Sequence, residues 1–263
     1  MSQVPEYIEK GTGEVILFLH GVGGGAYSWM PQLNSFGTKY KAAAWNMPGY
    51  GNSLLKRSMT FPDLSDSLLS LLDDCGWDKV HLVGHSMGGM VAQEFAARHQ
   101  ERLHSMILSA TSPAFGNADG DFQKKFIEDR LGPLESGAKM SDLAQELVTT
   151  MMAAEADPKG RQLAHDCMVQ VPEKTYMAAV KCIVHFDQRA NLANIRVPTL
   201  VLSGEHDRNA SASMMQKMAT KIPDSKYVCL KGLGHMANLE NPLMFDLAVG
   251  RFIEETKNSH RNC

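Results

Sequence analysis

The 263-residue chain lacks a paired cysteine set. Its five cysteines, Cys75, Cys167, Cys182, Cys229 and Cys263, are odd in number and no two form a C-x-x-C. A disulfide framework and a C-x-x-C redox or zinc site are therefore not expected. The opening residues, MSQVPEYIEK, lack the basic-then-apolar pattern of a secretory leader, so free thiols in a reducing cytoplasm are the expected setting. Long apolar runs are missing too. Val15–Leu19 is typical of the longest, far short of the roughly 20 residues that cross a bilayer, so no membrane association is expected. Nor is there a surplus of one charge: 26 Lys and Arg face 29 Asp and Glu, a net charge of −3. That balance offers no electrostatic footprint for nucleic acid and no acidic solvating tail. Internal repeats and low-complexity segments are absent.

What is present is a core-forming composition, 44% hydrophobic and 21% charged, of a length that fits one large domain or one domain with an insertion. Val15–Leu19, Tyr40–Trp45, Lys79–Val83 and Met106–Ser109 read as strands. Between them, Phe61, Leu64, Leu68, Leu71, Leu72 and Cys75 recur at helical spacing, and Met87–Arg98 continues as a helix. This βαβαβ rhythm predicts a mostly parallel sheet flanked by helices. From 115 to 194 the rhythm stops. Helical stretches at Phe122–Leu131, Met140–Ala154, Arg161–Val169 and Lys174–Val184 are punctuated by Gly132-Pro133, Asp157-Pro158 and Val171-Pro172. Strands resume at Pro198–Leu202 and Lys226–Leu230, and Asn241 with Pro242 caps a final helix. The expected organisation is an α/β core from 1–114 and 195–263, interrupted by a helical cap at 115–194.

The first strand runs into His20-Gly21-Val22-Gly23-Gly24-Gly25-Ala26. As G-x-G-x-x-A this satisfies a dinucleotide-binding fingerprint, which also needs an acid at the end of the next strand to hold the ribose. That strand ends Trp45-Asn46-Met47, without one. The same loop also reads as an H-G-x-G segment whose backbone N–H groups approach a developing negative charge, glycine removing the Cβ obstruction. A plain glycine turn is the third possibility.

Lys79–Val83 leads directly into Gly84-His85-Ser86-Met87-Gly88-Gly89 and then a helix, which is G-x-S-x-G in the strand-turn-helix context the motif requires. The turn presents Ser86 at the carboxyl edge of the sheet, with the Met87 N–H at a helix N-terminus where an oxyanion would be favoured. A serine hydroxyl needs a base, itself oriented by an acid, in the chain order Ser, acid, His. After the insertion come Ser203-Gly204-Glu205-His206-Asp207 and Gly232-Leu233-Gly234-His235-Met236, each on a loop after a strand. Asp207 and Glu205 compete for the acid, and His235 is the base.

These segments, together with MPGYGNS at 47–53 and GLGHMANLENP at 232–242, resemble the α/β-hydrolase superfamily in order and over nearly the whole chain. The likeness is strongest to 3-oxoadipate enol-lactonases and related carboxylesterases, through GHSMGGMVAQ, FDQRANL and GEHD. The resemblance implies an α/β-hydrolase fold with a helical cap. It implies Ser86 as nucleophile, His235 as base, Asp207 as orienting acid, and the Val22 and Met87 N–H groups as oxyanion hole. It further implies a small ester or lactone substrate and no cofactor or metal.

Two other readings stay open. One is a C–C bond hydrolase of vinylogous 1,5-diketones, whose members carry Asn before the serine and an aromatic residue after the histidine, where this chain has His85 and Met236. The other is a small-molecule receptor that retains the triad. His20 is expected to brace the glycine loop, His85 to shape the pocket or to pack, and His206 to support Asp207 locally. His81 and His85 form H-x-x-x-H on a strand and its turn rather than on a helix, so zinc is not expected. Arg130, Arg161 and Arg189 are candidate partners for a substrate carboxylate, with none preferred. The Met and Phe content of the insertion predicts an enclosed apolar pocket for a compact acyl group, with activity falling beyond about eight acyl carbons. The sequence does not define the oligomeric state.

Overall fold

A computed structural model describes residues 4–55, 58–116 and 120–261; Cys263 lies outside them. The chain runs through β1 (Tyr7–Lys10), β2 (Val15–Leu19), α1 (Met30–Phe36), β3 (Lys41–Trp45), α2 (Phe61–Asp74), β4 (Val80–His85), α3 (Met87–His99) and β5 (Leu103–Ser109). It continues through α4 (Asp121–Glu135), α5 (Met140–Met151), α6 (Pro158–Val169) and α7 (Glu173–Ile183). It closes with β6 (Thr199–Gly204), α8 (Ala212–Ala219), β7 (Ser225–Leu230), α9 (Ala237–Glu240) and α10 (Pro242–Arg261). Among the described residues no helix is long and apolar enough to cross a membrane.

The strands form one sheet in the order β1-β3-β2-β4-β5-β6-β7, parallel except for β1, which is antiparallel to β3. Both faces are covered, which is why the strands read as continuous apolar runs. Leu17 and Leu19 of β2 pack with Leu68, Leu72 and Phe95, while Ile16 and Phe18 pack with Leu33, Phe245 and Val249 on the opposite face. From β2 the chain goes to β3 on one side and then crosses back to β4 on the other. The crevice between the carboxyl ends of β2 and β4 is thus the switch point at which ligands bind in open α/β sheets.

Several boundaries differ from the sequence expectation, each for a local reason. β1 has no counterpart in that reading because it is a short edge strand, with Glu9 and Lys10 exposed and no apolar alternation to mark it. Gly132-Pro133 does not end α4. Pro133 sits in the last turn, where its missing N–H costs at most one bond, and the stop is Gly137, at φ 94°. α5 ends at Met151 rather than Ala154, because the Ala153 N–H leaves the helical ladder for the Glu240 carboxylate, at 2.9 Å. α6 begins three residues early, since Asp157 caps it by accepting the Lys159 N–H and Pro158 occupies its first turn.

The helices α4 to α7 lie between β5 and β6, and the two ends of that segment are drawn together. Phe115 N donates to Phe186 O at 3.0 Å and Gln188 N to Pro113 O at 2.8 Å, around an isolated bridge between Ala114 and Asp187. At its other side α6 rests on α9 so closely that a Cβ on Gly160 would stand 1.8 Å from the Leu239 carbonyl oxygen. The Gly160→Ala variant is expected to lose about 1–3 kcal/mol of stability, the usual cost of overpacking a fixed backbone contact. Urea unfolding checks this, and a wild-type midpoint would mean that the contact is not tight.

Candidate active site

The turn after β4 places Ser86 at φ 53° and ψ −117°, outside the conformations ordinarily open to a residue with a side chain. Two glycines make the turn possible. A Cβ at Gly84 would lie 2.4 Å from Gly88 O, and one at Gly88 would lie 2.2 Å from Leu19 O. The turn is tied to the next strand, Ser86 N donating to Ser109 O at 2.9 Å and Thr111 Oγ1 donating to Ser86 O at 2.8 Å. Ser86 Oγ consequently stands above the sheet edge, half-buried, with the first turn of α3 beneath it.

The loops after β6 and β7 meet it there. His235 Nε2 lies 3.1 Å from Ser86 Oγ, and His235 Nδ1 lies 2.8 Å from Asp207 Oδ2. The other oxygen of Asp207 accepts the N–H groups of Asn209 at 2.8 Å and Ala210 at 2.9 Å. Burial alone would raise the Asp207 pKa. The charge and hydrogen bond of His235, with the two N–H groups, outweigh burial and hold this carboxyl below its ordinary value. Glu205, the rival acid, points away: it is exposed and binds Lys231 Nζ at 2.8 Å and Gly232 N at 3.0 Å. His206 is exposed beside it.

The glycine loop after β2 adjoins Ser86, a Cβ on Gly21 coming within 3.2 Å of the Ser86 Cβ. Three side chains fix it: His20 Nδ1 donates to Gly21 O at 2.8 Å, Tyr50 Oη to Val22 O at 2.8 Å, and Asn46 Oδ1 accepts Ala26 N at 2.8 Å. Asn46 stands where a dinucleotide fold would keep its ribose acid, and here it pins the loop instead. Among the described residues, the N–H groups of Val22 and of Met87, the first residue of α3, have no hydrogen-bond partner.

His85 lines the cavity above Ser86 and donates Nε2–H to the His235 carbonyl at 2.9 Å. Burial pushes its pKa down to about 3 and that of His20 down to about 4. His81 faces elsewhere, toward Ser105 Oγ at 2.7 Å and Glu14 at 3.3 Å, so it does not converge with His85.

The cavity measures about 150 Å³. Its floor is Ser86, His235 and the glycine loop, and all four of the helices α4 to α7 supply wall, including Phe126, Leu147, Met168 and Tyr176. Of the three arginines, Arg189 is exposed and paired with Asp187, and Arg161 donates to the Ala153 carbonyl at 2.8 Å. Arg130 alone lines the cavity. It lies 5.5 Å from the centre of the Phe126 ring, with no ion-pair partner among the described residues.

Residues 14–242 match the family model described as the alpha/beta hydrolase fold. The chain belongs to that family. It is 24% identical over 242 residues to 3-oxoadipate enol-lactonase 1 of Acinetobacter baylyi, covering 91% of this chain and 88% of that one. It is 26% identical over 249 residues to a pimeloyl-(acyl-carrier protein) methyl ester esterase of Aeromonas hydrophila, covering 92% and 96%. The solved structure of a thermophilic esterase from Thermogutta terrifontis superposes with a TM-score of 0.86 at 23% identity, over 95% of this chain and 93% of that one. This α/β hydrolase thus shares its fold with that esterase.

Sequence reasoning missed four contributors: Asn46, Thr111, the Asn209–Ala210 N–H pair and Glu240. Asn46, Thr111 and Glu240 act through backbone groups, most of them distant in sequence, and Asn209 and Ala210 through a tight turn back onto the Asp207 carboxylate.

The geometry ranks the two acids. Asp207→Asn is expected to lower turnover on an ester by about 10⁴-fold, because an amide no longer selects the productive imidazole tautomer. Glu205→Gln is expected to stay within about twofold, since surface ion pairs contribute little. Steady-state kinetics of the two variants decide, and the reverse ranking would reassign the acid.

The buried histidines set a second expectation. His20, His81 and His85 have pKa values lowered from 6.5 to about 4, about 4 and about 3, chiefly by burial, so the unfolded chain binds protons that the native state refuses. Their contribution to stability is complete above about pH 6.5 and is lost as pH falls below it, at a slope approaching about 4 kcal/mol per pH unit for three protons. Urea unfolding across about pH 5 to 7 measures the slope, and a flat line would mean that the rings are not held neutral.

Proposed function

We propose that this α/β hydrolase cleaves a compact carboxylic ester or lactone through an acyl-enzyme on Ser86. What supports the reading is the unbroken hydrogen-bond line from Ser86 Oγ through His235 to buried Asp207, beneath a mainly apolar cavity. In this reading residues 1–114 and 195–263 are the catalytic core and 115–194 the cap that shapes the substrate space.

Ser86 Oγ bonds to the substrate carbonyl carbon as His235 Nε2 takes its proton, and Asp207 stabilises the imidazolium without itself being protonated. The carbonyl oxygen, now anionic, accepts the Val22 and Met87 N–H groups, and a single donor of this kind is worth roughly 3 kcal/mol of barrier. Collapse of the tetrahedral adduct expels the alkoxide or enolate, which takes the proton from His235. Water then attacks the acyl-enzyme with His235 again the base, releasing the acid and restoring Ser86. The elements positioned for this are the chain's own side chains and backbone, and the step balances without a co-reactant other than water.

The cavity also favours a substrate class. A space of about 150 Å³ is the size that an engineered apolar cavity offers to benzene, so the acyl group is compact. Among the described residues Arg130 is the one guanidinium on its wall and has no ion-pair partner, and a carboxylate on the substrate would give it one. An enol-lactone bearing a carboxylate meets both conditions, and the Acinetobacter baylyi relative is named a 3-oxoadipate enol-lactonase.

A fluorophosphonate is expected to label Ser86 alone, and Ser86→Ala to lose both labelling and about 10⁶-fold in turnover. Near-normal turnover in Ser86→Ala ends the covalent mechanism. Across esters of increasing length, catalytic efficiency is expected to fall beyond about eight acyl carbons as the cavity fills. Arg130→Gln is expected to raise KM about 10–100-fold for a carboxylate-bearing lactone and to leave a neutral ester unaffected. Equal losses on both would remove Arg130 from substrate recognition. A preference of roughly a hundredfold for a vinylogous diketone would replace the esterase reading with a C–C hydrolase.

A further inference from the structure

Glu240 is a carboxylate the mechanism does not use, and it is 2% exposed. It ends the single turn α9, yet its side chain does not reach solvent or a cation; among the described residues it has no ion-pair partner. Instead it accepts three backbone N–H groups. Oε2 takes Gly234 N at 2.7 Å and Ala153 N at 2.9 Å, and Oε1 takes Met236 N at 2.9 Å. All three partners are donors, which suits an acceptor-only group and nothing else of this shape.

The identity of those donors is the informative part. Gly234 and Met236 are the residues immediately before and after His235, so one rigid carboxylate clamps the peptide on both sides of the histidine. Ala153 is different: it belongs to the helical segment between β5 and β6, just past the end of α5. The same segment holds the loop from the other direction. His235 N donates to Met151 O at 2.8 Å, and Asp157 N donates to the Glu240 carbonyl at 2.9 Å. Arg161 closes the segment on itself through the Ala153 carbonyl. The histidine backbone is thus held partly by the core and partly by the helical insertion, with Glu240 as the shared node.

We propose that Glu240 is a positioning residue that couples seating of the helical insertion to the alignment of His235 with Ser86. With the insertion seated, the Ala153 N–H completes the donor set, the carboxylate is fixed, and Nε2 stands 3.1 Å from Oγ. With the insertion displaced, Glu240 loses one donor and His235 N loses the Met151 carbonyl. The loop then relaxes and the base leaves its line. The inference rests on the serine–histidine reading above, and it adds that substrate enclosure and base alignment are one event.

Two variants test it from opposite sides. Glu240→Gln keeps the shape but replaces one acceptor oxygen by an NH₂ that confronts a backbone donor. Ala153→Pro removes the insertion's N–H and sets the ring Cδ against Glu240 Oε2 in its place, so it breaks the same bond from the insertion side; Met152 before it is extended, φ −98° and ψ 146°, as a residue preceding proline requires. The readouts are the rate constant for fluorophosphonate labelling of Ser86, kcat and KM on a short ester, and the circular dichroism spectrum at the assay temperature. In Glu240→Gln, labelling and kcat are expected to fall together by about 10–100-fold with KM within about threefold and the spectrum unchanged, the scale of a misplaced catalytic group. Ala153→Pro is expected to fall in the same two quantities by at least about 3–10-fold, as one donor of three is lost and the ring crowds the carboxylate.

A folded Glu240→Gln that labels and turns over within twofold of wild type overturns the proposal. So does a loss confined to KM, which would place Glu240 in shaping the cavity. If Glu240→Gln does not fold, Ala153→Pro decides by the same criteria. Wild-type protein that is not labelled at Ser86 would reject the triad reading itself, a result distinct from either failure.

Discussion

The geometry of this site depends on one backbone conformation, Ser86 at φ 53°. A side chain in that region is disfavoured by contact between its Cβ and neighbouring backbone, and it persists only where the surroundings over-determine it. Here they do. Gly84 and Gly88 let α3 cross β2 at a distance no Cβ would permit, and the Ser109 carbonyl and the Thr111 hydroxyl hold the Ser86 peptide on both sides. The strained turn has two consequences. It lifts Oγ clear of the sheet, and it starts α3 beneath the same residue, so that a hydroxyl and a free helix N–H converge on one point. A residue in the ordinary helical region at position 86 would do neither.

Around that turn, buried polar groups are held by backbone rather than by charge. Asp207 has two N–H groups on one oxygen and a histidine on the other; His85 and His20 each give a proton to a carbonyl; Glu240 collects three N–H groups. Peptide dipoles cannot rotate away or exchange with solvent as a lysine can, so they fix a neighbour's position while satisfying it. The same burial keeps the two supporting histidines neutral, which leaves His235 without a permanent cation beside it. A positively charged His85, with ring centres 5.1 Å apart, would oppose formation of an imidazolium on His235. Low pKa values in the supporting rings are therefore part of what makes the proposed base usable.

The sheet and the three side chains of the hydrogen-bond line were legible because each has a local signature. Apolar runs mark strands buried on both faces, and G-x-S-x-G carries its own context of strand and helix. Asp207 and His235 follow strands whose carboxyl ends must lie at the same edge. Apart from the local turn of Asn209 and Ala210 onto Asp207, what was not legible involves pairs distant in sequence. Asn46 meets Ala26 across 20 residues, and Glu240 meets Ala153 across 87. Part of Glu240 was nonetheless within reach. An acid in a first helical turn commonly turns back to the N–H that precedes the turn, and Met236 N is that group. The Ala153 bond has no such signal, and it is also what ends α5 three residues early. The choice between Glu205 and Asp207 was similar: the family resemblance ranks them, but only the loop's path, which turns Glu205 to solvent and Asp207 inward, gives the physical reason.

The distribution of these residues separates two tasks that one chain must perform. Every group proposed for bond making lies on a loop or at a helix start at the carboxyl edge of the sheet, just after β2, β4, β6 or β7, where parallel strands in a fixed register leave little freedom. The groups that would distinguish one substrate from another, Arg130, Phe126, Leu147, Met168 and Tyr176, lie on the helices between β5 and β6. Those helices pack on the sheet through few backbone bonds, so their side chains can change without disturbing the strand register. The two regions are still not independent. Met151 accepts the His235 N–H through its carbonyl, and Ala153 donates its N–H to the Glu240 carboxylate. A change in the wall that moved α5 would therefore be felt at the histidine. Substrate range in such an architecture is constrained less by cavity volume than by which repackings of the insertion leave that junction in place.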